Sequence, residues 1–401
     1  MIARLRPPVA RLRQVIDRYW SSHRPLVIAV GAIALVIVLA ASLLIAVRPG
    51  GAAQANASPS PTALALVSAS QSPAEVPTPP ASPSGTPGNS PTATPGPDWV
   101  YSDLDGVLAP SDLAHRLPMA VMIDDSKAAR PQSGFSSASI VYQAPADGGE
   151  DRYMMVFQEG TATDIGPVRS ARPYFVYWAA EYKAMFGHFG GDAVSLDQVI
   201  PANAKNIYNM DDLRGGSCPY HRIATRASPH NAYTNSAVLI RCLSKLRYPT
   251  TYRGLPVRTF RDDSPHSQLP ATQSISIPYR TGLIGYTFDP ATDSYLRYVG
   301  GHPQTDPANG QQVTARNVIV MFQALSYDSI SDPGHKRPVV ANVGSGKAIV
   351  FVEGQAIKAT WKKTSKTALT RLYDSSGKQI QLVRGEIFIQ SVPTGTAVTY
   401  K

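Results

Sequence analysis

An unbroken apolar segment near the N-terminus places the strongest constraint on this chain. Residues 26–47 are 22 apolar or small residues without a charged side chain. At about 1.5 Å of rise per residue, a helix of this length spans roughly 30 Å, the thickness of the hydrocarbon core of a bilayer. The segment therefore predicts a single transmembrane helix, so that the parts of the chain that fold in water must lie before or after it.

The charges beside the apolar segment indicate its orientation. The preceding arm, residues 1–25, carries six arginines and one acid, whereas Arg48 alone follows closely. Because basic residues stay on the cytoplasmic side, we expect a cytoplasmic basic arm, a single-pass anchor in the cell membrane and an extracytoplasmic remainder. A cleaved signal peptide is the alternative, since residues 53–55 resemble a small-x-small cleavage site. The length of the apolar segment favours an uncleaved anchor.

A proline-rich stretch separates the membrane segment from the rest of the chain. Residues 51–98 contain 11 prolines among Ser, Thr, Ala and Gly, with no Lys or Arg. Such a composition cannot bury enough apolar surface to fold, and proline keeps the chain extended. Residues 48–98 are therefore expected to form a disordered linker that holds the folded part away from the membrane.

The first folded half, residues 99–252, has the pattern of an α/β domain. Its apolar runs are continuous, as in strands covered on both faces, and helices are predicted between them. The predicted strands are 119–123, 140–144, 153–158 and 186–189, and the predicted helices are 170–185, 192–200 and 235–246.

The second half, residues 253–401, is predicted to be mainly β. Short apolar runs follow one another from residue 275 to residue 390, and no convincing helix interrupts them. Residues 352–355 and 374–378 have the composition of hairpin turns between neighbouring runs.

Charge and cysteine content narrow the possible partners. The net charge is +10, but the first 50 residues contribute six of these charges, and no nucleic-acid-binding motif is present.

Cys218 and Cys242 could form a disulfide outside the cell or remain two buried thiols. Cys218 and His221 have the spacing of half a zinc site, but no second pair lies near them. We therefore expect no nucleic acid, no metal and no cofactor.

Four arginines are the main candidates for ligand binding. Arg169 and Arg172 lie at the start of a predicted helix, where free backbone N–H groups favour an anion and guanidinium groups bind phosphate or carboxylate in pairs. Arg130 and Arg152 lie at neighbouring strand ends and could join them. The alternative is that each arginine pairs with a structural Asp or Glu.

Asp124, His188, His230 and Asn231 complete the candidate site. Asp124 follows a predicted strand, where α/β sheets often place ligand residues, although a role in an Asx turn or a cap is the favoured alternative. His188 ends a strand, and either histidine could transfer protons if a carboxylate lay nearby. For both histidines, and for the turn that contains Asn231, a structural role is the alternative.

Long stretches of the sequence resemble the YerB family of bacterial exported proteins, many of which are described as lipoproteins. The matching strings include PMAVMIDD, ARPQSGFSSASIVYQAP and IGPVRSARPYF in the first half, and GSGKAIVFVEGQAIKATWKK in the second. Together they cover most of residues 115–395. The resemblance implies N-terminal and C-terminal YerB-like domains on an extracytoplasmic protein, with a loose link to the cell envelope, but it implies no activity.

Two features depart from the family pattern. The lipid-anchor cysteine is absent, and the apolar segment stands in its place. Residues 147–150, Asp-Gly-Gly-Glu, stand where Glu-Gly-Gly and an apolar residue are expected, which leaves a catalytic carboxylate there unsupported.

Two functional hypotheses follow. The first is a membrane-tethered binding or scaffold protein that recognises an anionic wall component through its arginines. Its partners would be peptidoglycan, an envelope glycopolymer or a wall-synthesis protein. The alternative is an envelope enzyme, a hydrolase or phosphotransferase that acts on wall glycan or a phosphate-linked carrier. A histidine and a carboxylate within hydrogen-bond reach would favour the enzyme.

Overall fold

The structure is a computed structural model that describes residues 96–212, 219–255, 258–265, 268–270, 273–328 and 336–401. The predicted basic arm and membrane helix, and nearly all of the predicted linker, lie outside these residues. Among the described residues, no helix is both long enough and apolar enough to span a bilayer.

The first half contributes short strands and a few helices. Its strands are β1 (Trp99–Tyr101), β2 (Leu108–Pro110), β3 (Met119–Asp124), β4 (Ile140–Pro145), β5 (Asp151–Phe157), β6 (Met185–His188), β7 (Tyr208–Asp211), β8 (His221–Arg222) and β9 (Ala232–Tyr233). Its α-helices are α1 (Ser111–Ala114), α2 (Pro173–Ala179), α3 (Ile200–Ala202) and α4 (Ser236–Lys245).

The described part of the second half consists of strands. They are β10 (Phe260–Arg261), β11 (Ser274–Tyr279), β12 (Gly282–Asp289), β13 (Ser294–Val299), β14 (His302–Pro303), β15 (Thr305–Asp306), β16 (Gln311–Gln312), β17 (Thr314–Ala315), β18 (Asn317–Gln323), β19 (Leu325–Asp328), β20 (Arg337–Val340), β21 (Gly344–Val352), β22 (Gln355–Lys363), β23 (Arg371–Tyr373), β24 (Leu382–Val383), β25 (Ile387–Pro393) and β26 (Thr399–Tyr400). The prediction of a mainly β second half is confirmed.

One mixed sheet of ten described strands runs through both halves, in the order β23-β22-β21-β18-β25-β4-β5-β3-β6-β7. The halves meet where β25 pairs in parallel with β18 on one side and with β4 on the other. A smaller sheet has the order β14-β13-β12-β11-β26, with β17 beside β13.

Both faces of the large sheet are covered, as the continuous apolar runs predicted. Along β3, Ala120 and Met122 belong to one buried cluster, which includes Trp178 of α2. Val121 and Ile123 point to the opposite cluster, where the smaller sheet and α4 pack. This alternation is the two-residue period of a strand.

The α/β prediction for the first half is met only in part, because its helices are shorter than expected. The helix predicted over residues 170–185 begins at Pro173 and ends at Ala179, and a 3₁₀ turn, Ala180–Tyr182, follows it. Lys183 then adopts a left-handed backbone conformation, which ends the helical path before β6. The helix predicted over residues 235–246 is confirmed, with Asn235 as its N-cap.

Candidate functional site

The candidate site lies at one edge of the central sheet, where β3 and β4 end and β5 begins. In the antiparallel ladder Asp124 pairs with Arg152, and Arg152 also pairs with Ala144 of β4. The loops that leave these strands therefore meet at the same edge.

Asp124 is the centre of this edge and is fully buried. Its Oδ2 lies 2.7 Å from His230 Nδ1 and 3.0 Å from Arg169 Nε. The backbone N–H of Ser126 donates to Oδ1 at 2.9 Å. Burial raises the pKa of the Asp124 carboxyl, but the hydrogen bond from Ser126, with Arg169 and His230, brings that pKa below its ordinary value. Asp124 is therefore held as a carboxylate.

The imidazole of His230 is oriented by Asp124 and reaches solvent. Its Nδ1 also lies 3.2 Å from the Ser126 hydroxyl, and its side chain is 20 % exposed. Its Nε2 makes no hydrogen bond with the described residues. A carboxylate on Nδ1 orients the imidazole and leaves Nε2 for a ligand or water.

Arg152 and Arg169 lie beside this pair. Arg152 is buried and donates from Nη1 to the carbonyl of Ser170 at 2.9 Å. Burial lowers the pKa of Arg152, and the nearby positive charge of Arg169 lowers it further. Arg169 and His230 thus contact the Asp124 carboxylate, and Arg152 lies near enough to feel its charge. We call Asp124, Ser126, Arg152, Arg169 and His230 the Asp124 cluster.

Arg172 belongs to a neighbouring network around Asp147. Its Nη2 forms an ion pair with Asp147 Oδ2, and Arg337 donates to the same oxygen at 2.7 Å. Arg152 Nη2 lies 3.9 Å from that oxygen, so it connects this network to the Asp124 cluster.

Arg130 pairs with Asp125 rather than with Asp124. Its Nε and Nη2 donate to Asp125 Oδ1 at 3.0 and 2.9 Å. Burial raises the pKa of Asp125, although Arg130 opposes this effect. Gln132 and Gln143 also donate to this carboxylate, which fixes the loop after β3.

His188 and Asn231 make structural contacts away from Asp124. His188 is fully buried; its Nδ1 lies 2.8 Å from the Gly190 carbonyl and its Nε2 lies 2.8 Å from Asn209 Oδ1. Asn231 accepts a hydrogen bond from Arg222 and donates one to the Ile223 carbonyl. Neither side chain bonds to the cluster, although Asn231 is the chain neighbour of His230.

Ser126, Asp147 and Arg337 were not among the predicted site residues. Ser126 lies two positions after Asp124, so an Asx-type turn could have indicated it. Arg337 lies far from Asp147 in sequence, and its position gives no local signal.

The described residues contain one group of three carboxylates close enough to share an ion, formed by Asp263, Asp293 and Glu353. Arg316 Nη2 lies 2.9 Å from Asp263 and 2.7 Å from Asp293, and Arg261 Nη2 lies 2.5 Å from Glu353. Guanidinium groups thus provide the positive charge here.

Cys242, in α4, is disulfide-bonded, and Cys218 lies outside the described residues.

Comparison with known proteins identifies the family. Two family models, described as the N-terminal and C-terminal domains of a protein of unknown function (DUF3048), match residues 104–249 and 275–389. YerB of Bacillus subtilis (strain 168), described as a candidate lipoprotein, is 28% identical over 300 residues, which cover 73% of this chain and 86% of YerB.

A solved structure shows the same fold. The crystal structure of YerB from Bacillus subtilis matches with a TM-score of 0.66 at 25% identity, covering 75% of this chain and 99% of the YerB chain. The two family matches together span more than half of the sequence, in the order predicted from the resemblance. The chain therefore belongs to the DUF3048 family and is homologous to YerB.

Proposed function

We propose that this protein is a membrane-anchored, extracytoplasmic cell-envelope protein that binds an anionic wall component at the Asp124 cluster. The apolar segment at residues 26–47 and the homology to a candidate lipoprotein support the location. The observation that carries the binding proposal is the pair of guanidinium groups, from Arg152 and Arg169, that lies with the His230 imidazole near one buried carboxylate, Asp124.

Two of these side chains are accessible to a ligand. The Arg169 side chain is 20 % exposed, as is that of His230, and both contact Asp124 through a single nitrogen. A phosphate or carboxylate could bind the remaining donors without breaking the contacts to Asp124. Peptidoglycan, an anionic envelope polymer and an acidic patch on a wall-synthesis protein all carry such groups.

Sedimentation of the full-length protein in detergent with isolated cell wall tests the binding proposal. Loss of one charged hydrogen bond costs about 1.5 kcal/mol, so we expect Arg169→Ala to weaken binding about tenfold. Arg371→Ala is the matched control, because it removes an arginine from β23 at the other end of the sheet. Equal binding by the two variants and the unaltered protein would exclude the Asp124 cluster as the site.

The Asp124–His230 pair also favours a second candidate function. It has the geometry of a carboxylate that orients a general base, and Nε2 makes no hydrogen bond with the described residues. The protein would then be an envelope hydrolase or phosphotransferase that acts on wall glycan or a phosphate-linked carrier.

Release of soluble products from isolated wall distinguishes the enzyme from the binding protein. For an enzyme we expect His230→Ala to abolish release, while wall binding, which Arg169 still supports, is weakened but not lost. If the unaltered protein binds wall at neutral pH and releases nothing over hours, the enzyme hypothesis is wrong.

A further inference from the structure

A groove of about 860 Å³ lies beside the Asp147 network. One wall is the loop between β4 and β5, which contains Asp147, Gly148 and Gly149. The other walls come from the second half, including Arg280 after β11 and Tyr327 of β19. Its volume is in the range of small-molecule sites, and such sites often lie where two parts of a fold meet.

Two cations in this groove differ from the arginines described above. Arg280 and Lys336 line the groove, are exposed, and form no ion pair or hydrogen bond with any residue that the structure describes. In contrast, Arg130 and Arg169 each contact a carboxylate. Arg280 and Lys336 are therefore available to an incoming anion, and they share the groove with the carboxylates of Asp147, Glu150 and Asp151.

Gly149 makes room for the guanidinium of Arg280. A Cβ atom at Gly149 would lie 2.8 Å from Arg280 Cζ and Nη2, well inside van der Waals contact. The backbone of Gly149 is also left-handed, with φ +82°. The guanidinium therefore packs against the backbone of the loop between β4 and β5.

The groove also offers aromatic and apolar surface. Tyr327 is 52% exposed. Tyr279 is fixed by its hydroxyl, which donates to the carbonyls of Gln143 and Ser391. The face of a sugar ring carries C–H groups that pack well on an aromatic ring, whereas its hydroxyls bind charged side chains. Exposed tyrosine beside charged groups fits that combination.

Three prolines argue against an extended peptide as the ligand. Pro145, Pro278 and Pro393 all line the groove. Proline has no backbone N–H, so these positions cannot donate the hydrogen bonds with which a sheet edge binds an added strand.

We propose that this groove binds the sugar chain of an anionic saccharide, with Tyr327 packing on a sugar ring and Arg280 and Lys336 binding its carboxylate or phosphate groups. The proposal rests on the proposed function, since it takes the ligand to be a wall component, and it specifies the ligand class and a second contact region.

Titration calorimetry on the full-length protein in detergent tests the groove. The probes are peptidoglycan fragments released by muramidase, which carry carboxylates, a glycerol-phosphate polymer, and neutral chitin oligosaccharide. We expect Arg280→Ala/Lys336→Ala to weaken binding of the preferred anionic probe at least tenfold and to change binding of the neutral sugar less than twofold. Tyr327→Ala should weaken both. The anionic probe that binds more tightly shows whether the groove prefers carboxylate or phosphate groups.

Control variants remove side chains of the same kinds from positions outside the groove. Lys358→Ala/Arg371→Ala removes two positive charges from β22 and β23, and Tyr101→Ala removes another exposed tyrosine. Binding within twofold of the unaltered protein is expected for both. Groove variants that behave like these controls would overturn the proposal. So would a polyglutamate or proline-rich peptide that binds as tightly as the saccharides.

Arg169→Ala, measured with the same probes, separates the two proposals. If it loses binding and the groove variants do not, the saccharide groove is wrong and the Asp124 cluster stands. If only the groove variants lose binding, the groove is the site and the Asp124 cluster is wrong. If the unaltered protein binds none of the saccharides, the groove proposal fails whatever Arg169→Ala does to sedimentation with whole wall.

Discussion

At the scale of single residues, the carboxylates of the sheet edge differ in how their charge is compensated. Asp124 is surrounded by donors, and its pKa is lowered on balance. Asp151, at the first position of β5, is 1% exposed, and among the described residues its carboxylate accepts hydrogen bonds only from Thr281. Burial raises the pKa of Asp151 to about 7. As the pH rises, the contribution of Asp124 to the free energy of unfolding therefore grows, whereas that of Asp151 falls.

Asp151→Asn should make the protein less sensitive to pH. With a raised pKa in the folded state, Asp151 contributes stability that is complete below pH 3.8 and is lost as the pH rises through 7. The shift corresponds to at most about 4 kcal/mol. Asparagine can still accept both bonds from Thr281 but does not ionise.

Denaturant unfolding at pH 5 and pH 8 measures this effect. We expect the difference between the two free energies of unfolding to shrink in Asp151→Asn and to stay unchanged in Asp98→Asn, an exposed carboxylate. An unchanged difference in Asp151→Asn would mean that Asp151 ionises normally in the folded protein.

A second residue-scale prediction concerns the buried ion pair between Lys363 and Glu181. Lys363 Nζ donates to Glu181 Oε1 at 2.8 Å, and both side chains are fully buried. Lys363→Met leaves the carboxylate in the core without its closest cation, so we expect a loss of about 3–5 kcal/mol in the free energy of unfolding.

The double variant Lys363→Met/Glu181→Gln is the control for the ion pair. Because it removes both charges of the pair, thermal unfolding should show that part of the lost stability returns. The recovery is incomplete because Arg258, whose Nη2 lies 4.0 Å from Glu181 Oε2, loses its carboxylate in this variant. If the double variant is less stable than Lys363→Met alone, the contact of Glu181 with Arg258 outweighs its contact with Lys363.

At the scale of the element, helices with clear end signals were predictable and short strands were not. Helix α4 has Asn235 at its start and an amphipathic pattern, and its predicted limits are within one residue of those found. Strands β14 to β17 have two residues each, too few for an alternating pattern. The helix predicted over residues 170–185 was too long, since nothing local indicated a left-handed Lys183.

The N-cap of α4 gives a prediction at this scale. Asn235 Oδ1 accepts a hydrogen bond from the backbone N–H of Val238 at 2.9 Å. Asn235→Ala should lower the free energy of unfolding by about 1 kcal/mol, whereas Asn235→Ser should retain most of it. Chemical denaturation measures both, and equal stability of the two variants would show that the cap contributes little.

The sequence predicted those residues of the candidate site that lie at the ends of strands. Asp124 and Arg152 could be assigned to strand ends from their apolar runs, and they pair in the sheet. His230 reaches Asp124 from 106 residues away, and no periodic pattern encodes that contact. The same holds for Arg337 and Asp147.

At the scale of the whole molecule, the two halves share one sheet. The sequence predicted a change from an α/β pattern to a mainly β pattern near residue 252, and the two family models match residues 104–249 and 275–389. The parallel pairing of β25 with β4 was not predictable, because strands far apart in sequence pair without a local signal.

Removing β25 should therefore unfold both halves. Ile387, Phe388, Ile389 and Val392 are buried, and together they contribute about 6–12 kcal/mol, as much as the net stability of a domain. A chain that stops after Gly385 should lack the cooperative thermal transition and be digested by protease along its length.

A shorter truncation is the control. A chain that stops after Ala397 loses only the edge strand β26, so it should keep the transition at a melting temperature a few degrees lower. A cooperative transition in the chain that stops after Gly385 would mean that the first half folds without β25.

The position of β25 also has a consequence for biosynthesis. The ribosome makes β4 some 240 residues before β25, so the nascent polypeptide carries an unpaired edge of β4 until translation is nearly complete. Such an edge is a template for association with other chains. We therefore expect this polypeptide to need a chaperone throughout its synthesis, with the greatest tendency to aggregate just before the last strands emerge.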